Sequence, residues 1–429
     1  MNPIDSRRRA LIQAIGSAGV GAMLPATAMA AIRGRPLGRV VVVGGGFAGA
    51  TAAKYLRKWG EGRIEVILIE REREFISCPA SNEVLAGYRE FDSLRQGHQA
   101  LTMTWGVKLV HASVTAIDAE KRRVRTDAAG EFSYDRLVIA PGFDFIPDQV
   151  AGYDAAAAAK ILHAWKAGAQ TVALRKQLAA MPDGGVYVLS IPKAPYRCPP
   201  GPYERASLIA SYFKAQKPKS KVIILDANDK VQSKEKLFRG VWGADYKDIL
   251  DYQPNWNAVA IDAATNTVIS EFGDRQRADV LNVVPPQRAG DIARVAGVVN
   301  INDRWADVEW ISLESTAVPG IHVIGDALSA ALAMPKSGHM ANQHGKAVAA
   351  ALVEMFAGRS PVPTLLANTC YSLVDDRRGI HVASVHRYDA EKKQPIPVVG
   401  AGGVSAEPSV TEGLFARAWA TTIWQDVFS

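Results

Sequence analysis

The stretch GRVVVVGGGFAGATAAKYLRKWG (38–60), followed by RIEVILIE (63–70), leaves few folds open. An apolar run that breaks on glycines reads as a buried strand entering a turn, and Ala52, Ala53, Tyr55 and Leu56 then recur at helical spacing. A second apolar run ends on Glu70. Gly44, Gly46 and Gly49 have the G-x-G-x-x-G spacing, with Phe47 and Ala48 inside it. The first glycine permits a tight turn, the second lets backbone approach a pyrophosphate, and the third lets the helix pack close to its strand. The helix N-terminus then receives the phosphates, and a carboxylate at the end of the second strand can hold ribose hydroxyls. Glycine spacing alone is weak. The order strand, glycines, helix, strand, acid predicts a doubly wound α/β domain with a dinucleotide site.

Two further stretches specify which dinucleotide. YDRLVIAPG (134–142) is a strand running into a turn that carries Ala140 and Gly142, and GIHVIGDA (320–327) is a strand delivering Gly325 and Asp326. Together they resemble the FAD-domain motifs of flavoproteins of the glutathione-reductase type, in which the aspartate contacts the ribityl and phosphate part of FAD. The expected architecture is two Rossmann-like domains plus a C-terminal α+β domain. Residues 36–145 and 285–360 would form a discontinuous FAD domain, 146–284 a second Rossmann-like domain, and 361–429 a domain at the flavin interface. In the second domain the strand of GGVYVLSIPKAPYRCPPGPYERAS (184–207) leads into prolines and Cys198 rather than a G-x-G-x-x-G turn. A nicotinamide pyrophosphate would lack its glycine turn there. In the C-terminal region ANTCYSLV and GIHVASVHRYD read as strands, PIPVVGAGGVSAEP as a hinge, and EGLFARAWATTIWQDVF as a helix. Its stripe of Phe415, Trp419, Ile423 and Trp424 has core spacing and is also compatible with flanking a flavin or a partner. MPKSGHMANQHGKAVAAALV (334–353) reads as a helix whose positive end and Lys336 can face the charge of a reduced flavin.

Composition sets the outer bounds. At 429 residues, 48% hydrophobic and 22% charged, the chain can bury the cores of two or three domains. Its formal charge of +7 comes without a basic run interleaved with aromatics, so nothing points to nucleic acid. The first thirty residues differ: Arg7, Arg8 and Arg9, a weakly apolar Gly/Ala stretch, and Ala28-Met29-Ala30 read as an export leader. Its arginine cluster points to the twin-arginine route and a periplasmic protein, with a Sec leader or a basic tail as the alternatives. No later segment is apolar enough for an integral membrane contact.

The three cysteines, Cys78, Cys198 and Cys370, form no C-x-x-C, no haem-attachment motif and no zinc spacing. His339 and His344 do not share a helical face, so no metal is expected. In an oxidising compartment two of the cysteines can pair and leave one over. A plain staple closing a loop as long as 198 to 370 would add about 4–5 kcal/mol, with the third thiol a small buried hydrophobe. The proline pair after Cys198 fixes its direction, whether as part of a site or of a rigid surface loop. Glu204 is either a proton carrier or a capping acid at a helix start.

PYRCPPGPYERAS, FISCPASNEV and NTCYSLV, with the FAD motifs, resemble the flavoprotein subunit of flavocytochrome c sulfide dehydrogenase over nearly the whole mature chain. The resemblance implies that Cys198 and Cys370 form a redox-active disulfide beside the flavin, with Glu204 as the nearby acid. It implies that Cys78 holds FAD as an 8α thioether and that Asp326 contacts the cofactor; Val114, Lys336 and Trp424 are expected to join the glycine turn, Glu70, Ala140 and Gly142 around it. It further implies that sulfide is oxidised to sulfur or polysulfide by attack on the disulfide, and that the two electrons leave singly to a c-type cytochrome subunit in a heterodimer. Sulfide:quinone oxidoreductase shares this fold but would carry a membrane-facing amphipathic C-terminus, whereas the last helix here includes Glu412, Arg417 and Asp426. A non-catalytic assembly component on the same scaffold is a third reading, opposed by the intact glycine fingerprint.

Overall fold

The computed structural model describes residues 36–429, and the leader expected over residues 1–30 lies outside the described residues. Strands β1 (Gly38–Val43) and β2 (Ile64–Ile69) pair in parallel, joined by helix α1 (Phe47–Trp59). Strand β3 (Lys108–Val110) adds beyond β2, and β4 (Arg136–Ile139) lies on the other side of β1. The excursion 114–133 forms a small antiparallel sheet that begins at Val114.

The chain then builds a second parallel sheet from β5 (Val186–Ile191), β6 (Lys221–Asp226), β7 (Leu250–Gln253) and β8 (Val280–Val283), in the order β7-β6-β5-β8. Helix α2 (Gly201–Gln216) connects β5 to β6, and α3 (Glu235–Asp245) connects β6 to β7. At the end of β6, where a dinucleotide fold would offer a carboxylate to a ribose, Asp226 is fully buried. It accepts from the Tyr203 hydroxyl at 2.7 Å, the Tyr252 hydroxyl at 3.1 Å and the Asn228 side chain at 2.7 Å. Tyr203, Phe238, Trp242 and Tyr252 pack around it, so protein aromatics fill this crevice.

Strand β9 (Ile321–Val323) returns to the first sheet and pairs in parallel with β4. The sheet therefore runs from an antiparallel edge at 308–309 and 314–315 through β9, β4, β1 and β2 to β3. Helix α4 (Gly338–Phe356) packs on α1, and the buried valines of β1 meet Ala52 and Leu56 of α1 and Val348 and Leu352 of α4 in one core. Each such fully buried Val or Leu contributes roughly 1.5–3 kcal/mol.

The C-terminal region is an antiparallel sheet of β10 (Leu366–Leu373), β11 (Gly379–Asp389) and β12 (Gln394–Val404), covered by helix α5 (Val410–Phe428). The Gly/Pro-rich stretch expected as a hinge is mostly strand β12. Its backbone groups are taken up by β11, from Asp389↔Gln394 to Val382↔Val404 with a register shift between Ser384 and His386. A partner strand overrides local composition here, as it commonly does for strands. The expected core stripe of α5 also divides: Ile423 and Trp424 are buried, Trp419 is half-buried, and Phe415 is 53% exposed. Asp426 fastens α5 to two other helices, accepting from Tyr55 at 2.6 Å, Asn342 at 2.8 Å and Lys346 at 2.8 Å.

Candidate active site

A cavity of about 760 Å³ opens where the carboxyl ends of β1, β2, β4 and β9 meet the start of α2 and the strand β10. The crevice at the strand ends of an open parallel sheet is where such folds bind ligands.

Its first wall is the glycine turn. Gly44 has φ +99°, and a Cβ there would lie 2.4 Å from the Ala140 carbonyl oxygen. A Cβ on Gly49 would come within 1.8 Å of the Gly44 oxygen, so that glycine serves helix packing and does not line the cavity. Gly46 caps α1 with no side chain on the first helical N–H groups, leaving them to a ligand. Glu70 accepts from Gly45 N–H at 2.5 Å and Glu72 N–H at 2.8 Å, which fixes its carboxylate at the rim. Gly44, Gly46, Phe47, Ala48, Glu70, Val114, Ala140, Gly142 and Asp326 all line this one cavity. A side-chain-free turn, an uncapped helix end and an acid at the end of β2 fit a flavin dinucleotide.

Two expected contacts are not direct. The Lys336 ammonium donates to the backbone oxygens of Asp326 and Leu328 and lies 3.7 Å from the centre of the Trp305 ring. It lies outside the cavity lining because helix α4 begins after it, at the Ser337 cap, and its stem turns back toward the Asp326 turn. Burial pushes this ammonium down to about 7. What α4 presents to the cavity is its N-terminus, with Ser337, Gly338 and His339. Trp424 is also absent from the lining: it is a core residue of α5 whose Nε1–H donates to Ser77 Oγ at 2.8 Å. Its hydrogen bond ties α5 to the residue before Cys78, while Trp419 and Ala420 on the same helix reach the cavity.

The second wall carries the sulfur. Cys78, Cys198 and Cys370 all line the cavity, and all three are free thiols. Cys198 and Cys370, the two residues that the resemblance pairs, thus share one cavity. Cys198 sits in the left-handed region at φ +59°, its N–H donating to the Lys336 carbonyl at 2.7 Å and its carbonyl accepting from Gly201 N–H at 2.9 Å. Left-handed backbone at a residue with a Cβ costs about 1–3 kcal/mol and persists where the surroundings over-determine it. A Cβ on Gly201 would lie 2.8 Å from Cys198 Sγ, so the glycine clears the space the sulfur occupies. Burial and the nearby Cys370 push the Cys198 thiol up to about 12. Cys370 Sγ lies 3.4 Å from the Asn368 side chain, which also takes the Ser337 hydroxyl at 2.7 Å and so ties β10 to the start of α4.

Glu204 lies in the first turn of α2 but caps nothing. One oxygen accepts from Leu373 N–H at 2.8 Å and the other from Asn82 Nδ2 at 2.8 Å. Burial raises its carboxyl above the ordinary value, against the pull of these two bonds.

Sequence reasoning missed three groups. Arg197 donates to the Trp165 carbonyl, which Cys78 Sγ also approaches at 3.7 Å, while Ala167 N–H reaches that sulfur at 3.4 Å. Arg205, fully buried, donates to Asn82 Oδ1 at 3.0 Å, Ala164 O at 2.7 Å and Asn282 Oδ1 at 2.8 Å. Lys234 places its ammonium 3.0 Å from the Cys370 carbonyl and 2.8 Å from Ser372 Oγ. The proximity of Arg197 and Glu204 to Cys198 was implicit in YRCPPGPYERAS; no local pattern marks Lys234, which is brought in across sequence by α3.

Three family models match in order along the chain. Residues 38–178 match pyridine nucleotide-disulphide oxidoreductase, 171–285 the central part of the sulfide dehydrogenase (flavocytochrome c) flavoprotein chain, and 362–428 the flavin-binding part of flavocytochrome c sulphide dehydrogenase. The mouse mitochondrial sulfide:quinone oxidoreductase is 22% identical over 67% of this chain, a match that spans 65% of its own length. The sulfide:quinone oxidoreductase structure from Aquifex aeolicus superimposes with TM-score 0.73 over 91% of each chain at 18% identity, a likeness of fold. The sulfide dehydrogenase (flavocytochrome c) flavoprotein chain of Chlorobaculum thiosulfatiphilum is 59% identical over 46 residues, 11% of this chain and 94% of that sequence. With the glycine turn and all three cysteines on one cavity, these matches establish that the chain belongs to the family of flavocytochrome c sulfide dehydrogenase flavoprotein chains, oxidoreductases of the pyridine nucleotide-disulphide fold.

Proposed function

We propose that this chain oxidises sulfide at the Cys198–Cys370 pair, using FAD in the cavity, and passes electrons singly to a c-type cytochrome subunit. The observation that carries the reading is the convergence of Cys198, Cys370 and Glu204 on the cavity formed by the glycine turn and Asp326. Gly44, Gly46, Glu70 and Asp326 would hold the dinucleotide, and Cys78 would anchor it covalently. FAD, when bound, supplies an acceptor that takes two electrons together and releases them one at a time.

The protein's share of the chemistry is thiol exchange. In the oxidised pair, hydrosulfide attacks one sulfur, the S–S bond breaks, and a persulfide forms on the attacked cysteine while the other leaves as thiolate. Glu204, whose carboxyl is raised by burial, would take the proton released as sulfur departs. Each turnover removes two electrons from sulfide and returns the pair to the disulfide. The leader over residues 1–30 supports export to the periplasm, where a covalent link would keep the flavin from being lost.

A quinone acceptor is the second reading, and one feature favours it: Val410, Leu414 and Phe415 are exposed on the outer side of α5, next to the turn that lines the cavity. Two experiments test these readings. Non-reducing peptide mapping of the flavin-loaded protein is expected to find flavin absorbance on the Cys78 peptide and Cys198 joined to Cys370. Sulfide-dependent turnover is expected with cytochrome c and not with a short-chain quinone; the reverse would replace the cytochrome reading with the quinone one.

A further inference from the structure

Strand β10, which carries Cys370, is an edge of its sheet and has β11 on one side only. Alternate N–H groups of an edge strand point away from the neighbouring strand, and those shielded from water need another acceptor. Two such groups flank Cys370. Leu373 N–H goes to Glu204 at 2.8 Å, and Thr369 N–H goes to Nδ1 of His339, in the first turn of α4, at 3.0 Å. A ring nitrogen that accepts from an N–H carries no proton of its own, so His339 is a neutral imidazole with its proton on Nε2. Burial, together with the Lys346 ammonium, lowers its pKa from the ordinary histidine value and keeps the ring neutral at pH 7.

The same entry to α4 holds the other cysteine. The Lys336 carbonyl accepts Cys198 N–H at 2.7 Å, and the Ser337 hydroxyl, which takes Met340 N–H at 3.1 Å, donates to Asn368 Oδ1 at 2.7 Å. Lys336, Ser337 and His339 are thus bonded to Cys198 on one side and to the two residues before Cys370 on the other. Ser337 and His339 also line the cavity. The His339 ring meets Trp419 of α5 edge to face, with centroids 6.0 Å apart, so packing and hydrogen bonding are separate duties of this side chain.

We infer that His339 is a positioning residue for the sulfur pair: its Nδ1 holds the backbone of Thr369 and so sets Cys370 against Cys198, which the same segment holds by its N–H. Without that acceptor the Thr369 N–H loses its partner on the open edge, and the strand that carries Cys370 gains freedom to move away from Cys198. The inference rests on the reading of Cys198 and Cys370 as a pair that opens and closes.

The test is the thiol–disulfide equilibrium of the flavin-loaded full-length protein with glutathione, under nitrogen at pH 7, read by acid quench, alkylation and peptide mass spectrometry. When the pair closes, its two thiols give two protons and two electrons to glutathione disulfide, which becomes two glutathione thiols. The constant therefore measures how well the two sulfurs are held together. His339→Phe keeps a ring on Trp419 and loses the acceptor; it is expected to lower the constant about tenfold, or about 30 mV for this two-electron couple. His339→Asn keeps an acceptor near the Nδ1 position and loses the ring; it is expected to stay within about twofold of wild type. A Phe variant at the wild-type constant, or an Asn variant that falls as far as the Phe variant, overturns the inference. If His339→Phe does not fold, the Asn variant decides alone: a constant near wild type supports the inference, and a loss of about tenfold overturns it. A wild type in which Cys198 and Cys370 do not join, even with diamide, would instead overturn the reading of the pair, whatever His339 does.

Discussion

Replacing Glu204 by Gln isolates what holds the sulfur wall together. The carboxylate joins α2 to β10 through Leu373 N–H and to the short helix Ser81–Ala86 through Asn82 Nδ2, each at 2.8 Å. Both partners are donors, and a glutamine offers one acceptor and one donor. Asn82 cannot turn over to accommodate it, because its Oδ1 accepts from Arg205 Nε at 3.0 Å. One of the two contacts is therefore lost in Glu204→Gln, at about 1–3 kcal/mol, and both are lost in Glu204→Leu, where Leu373 N–H loses this acceptor while Asn82 Nδ2 keeps the Gly201 carbonyl at 3.2 Å, at about 2–4 kcal/mol in all. Urea unfolding of the full chain at pH 7, followed by tryptophan fluorescence, is expected to rank wild type above Gln above Leu with gaps of that size. A Gln variant within about 0.5 kcal/mol of wild type would refute the bridging geometry. Loss of the proton acceptor is expected to slow sulfide-dependent flavin reduction by about a hundredfold in the Gln variant, well beyond what the stability change produces at full folding.

Gly201→Ala puts a Cβ 2.8 Å from Cys198 Sγ and 2.9 Å from the Trp165 ring, and is expected to cost about 1–3 kcal/mol in urea unfolding and to lower the yield of the diamide-formed disulfide. Asp426→Ala removes the acceptor shared by Tyr55, Asn342 and Lys346, and a loss of about 2–4 kcal/mol is expected from the same assay. Burial of Lys336 makes the native state release that proton near pH 7, against 10.5 for an ordinary lysine. Between those values the unfolded chain binds more protons, so wild-type stability gains on Lys336→Met as pH rises from 7 to 10. A gap between the two proteins that stays constant over that range would contradict the assignment.

The parts of this site that were legible in the sequence are those set by neighbours in the chain. Gly44, Gly46 and Glu70 are within one strand-helix-strand unit, and the turn that strains Cys198 is written in the two prolines and Gly201 that follow it. Asp326 needed only the strand that delivers it. What escaped depends on partners far along the chain. Glu204 reads locally as a cap, and only the arrival of β10 and Asn82 makes it a bridge. Lys336 stands one residue before the cap of α4 and Trp424 repeats at helical spacing, yet the ring of Trp305 and the hydroxyl of Ser77 draw their side chains away from the cavity. β12 reads as a hinge from its own glycines and becomes a strand only through pairing with β11. Lys234 carried no signal at all, since its meaning lies in a carbonyl on another strand.

The most direct measurement is an anaerobic sulfide titration of the flavin-loaded protein, following the flavin absorbance near 450 nm, in wild type, Cys198→Ser and Cys370→Ser. Bleaching by one sulfide per flavin in the wild type, and yellow protein that sulfide leaves unbleached in both variants, is the predicted result. Bleaching at the wild-type rate in either serine variant would contradict the account, because the electrons would then be reaching the flavin without the pair.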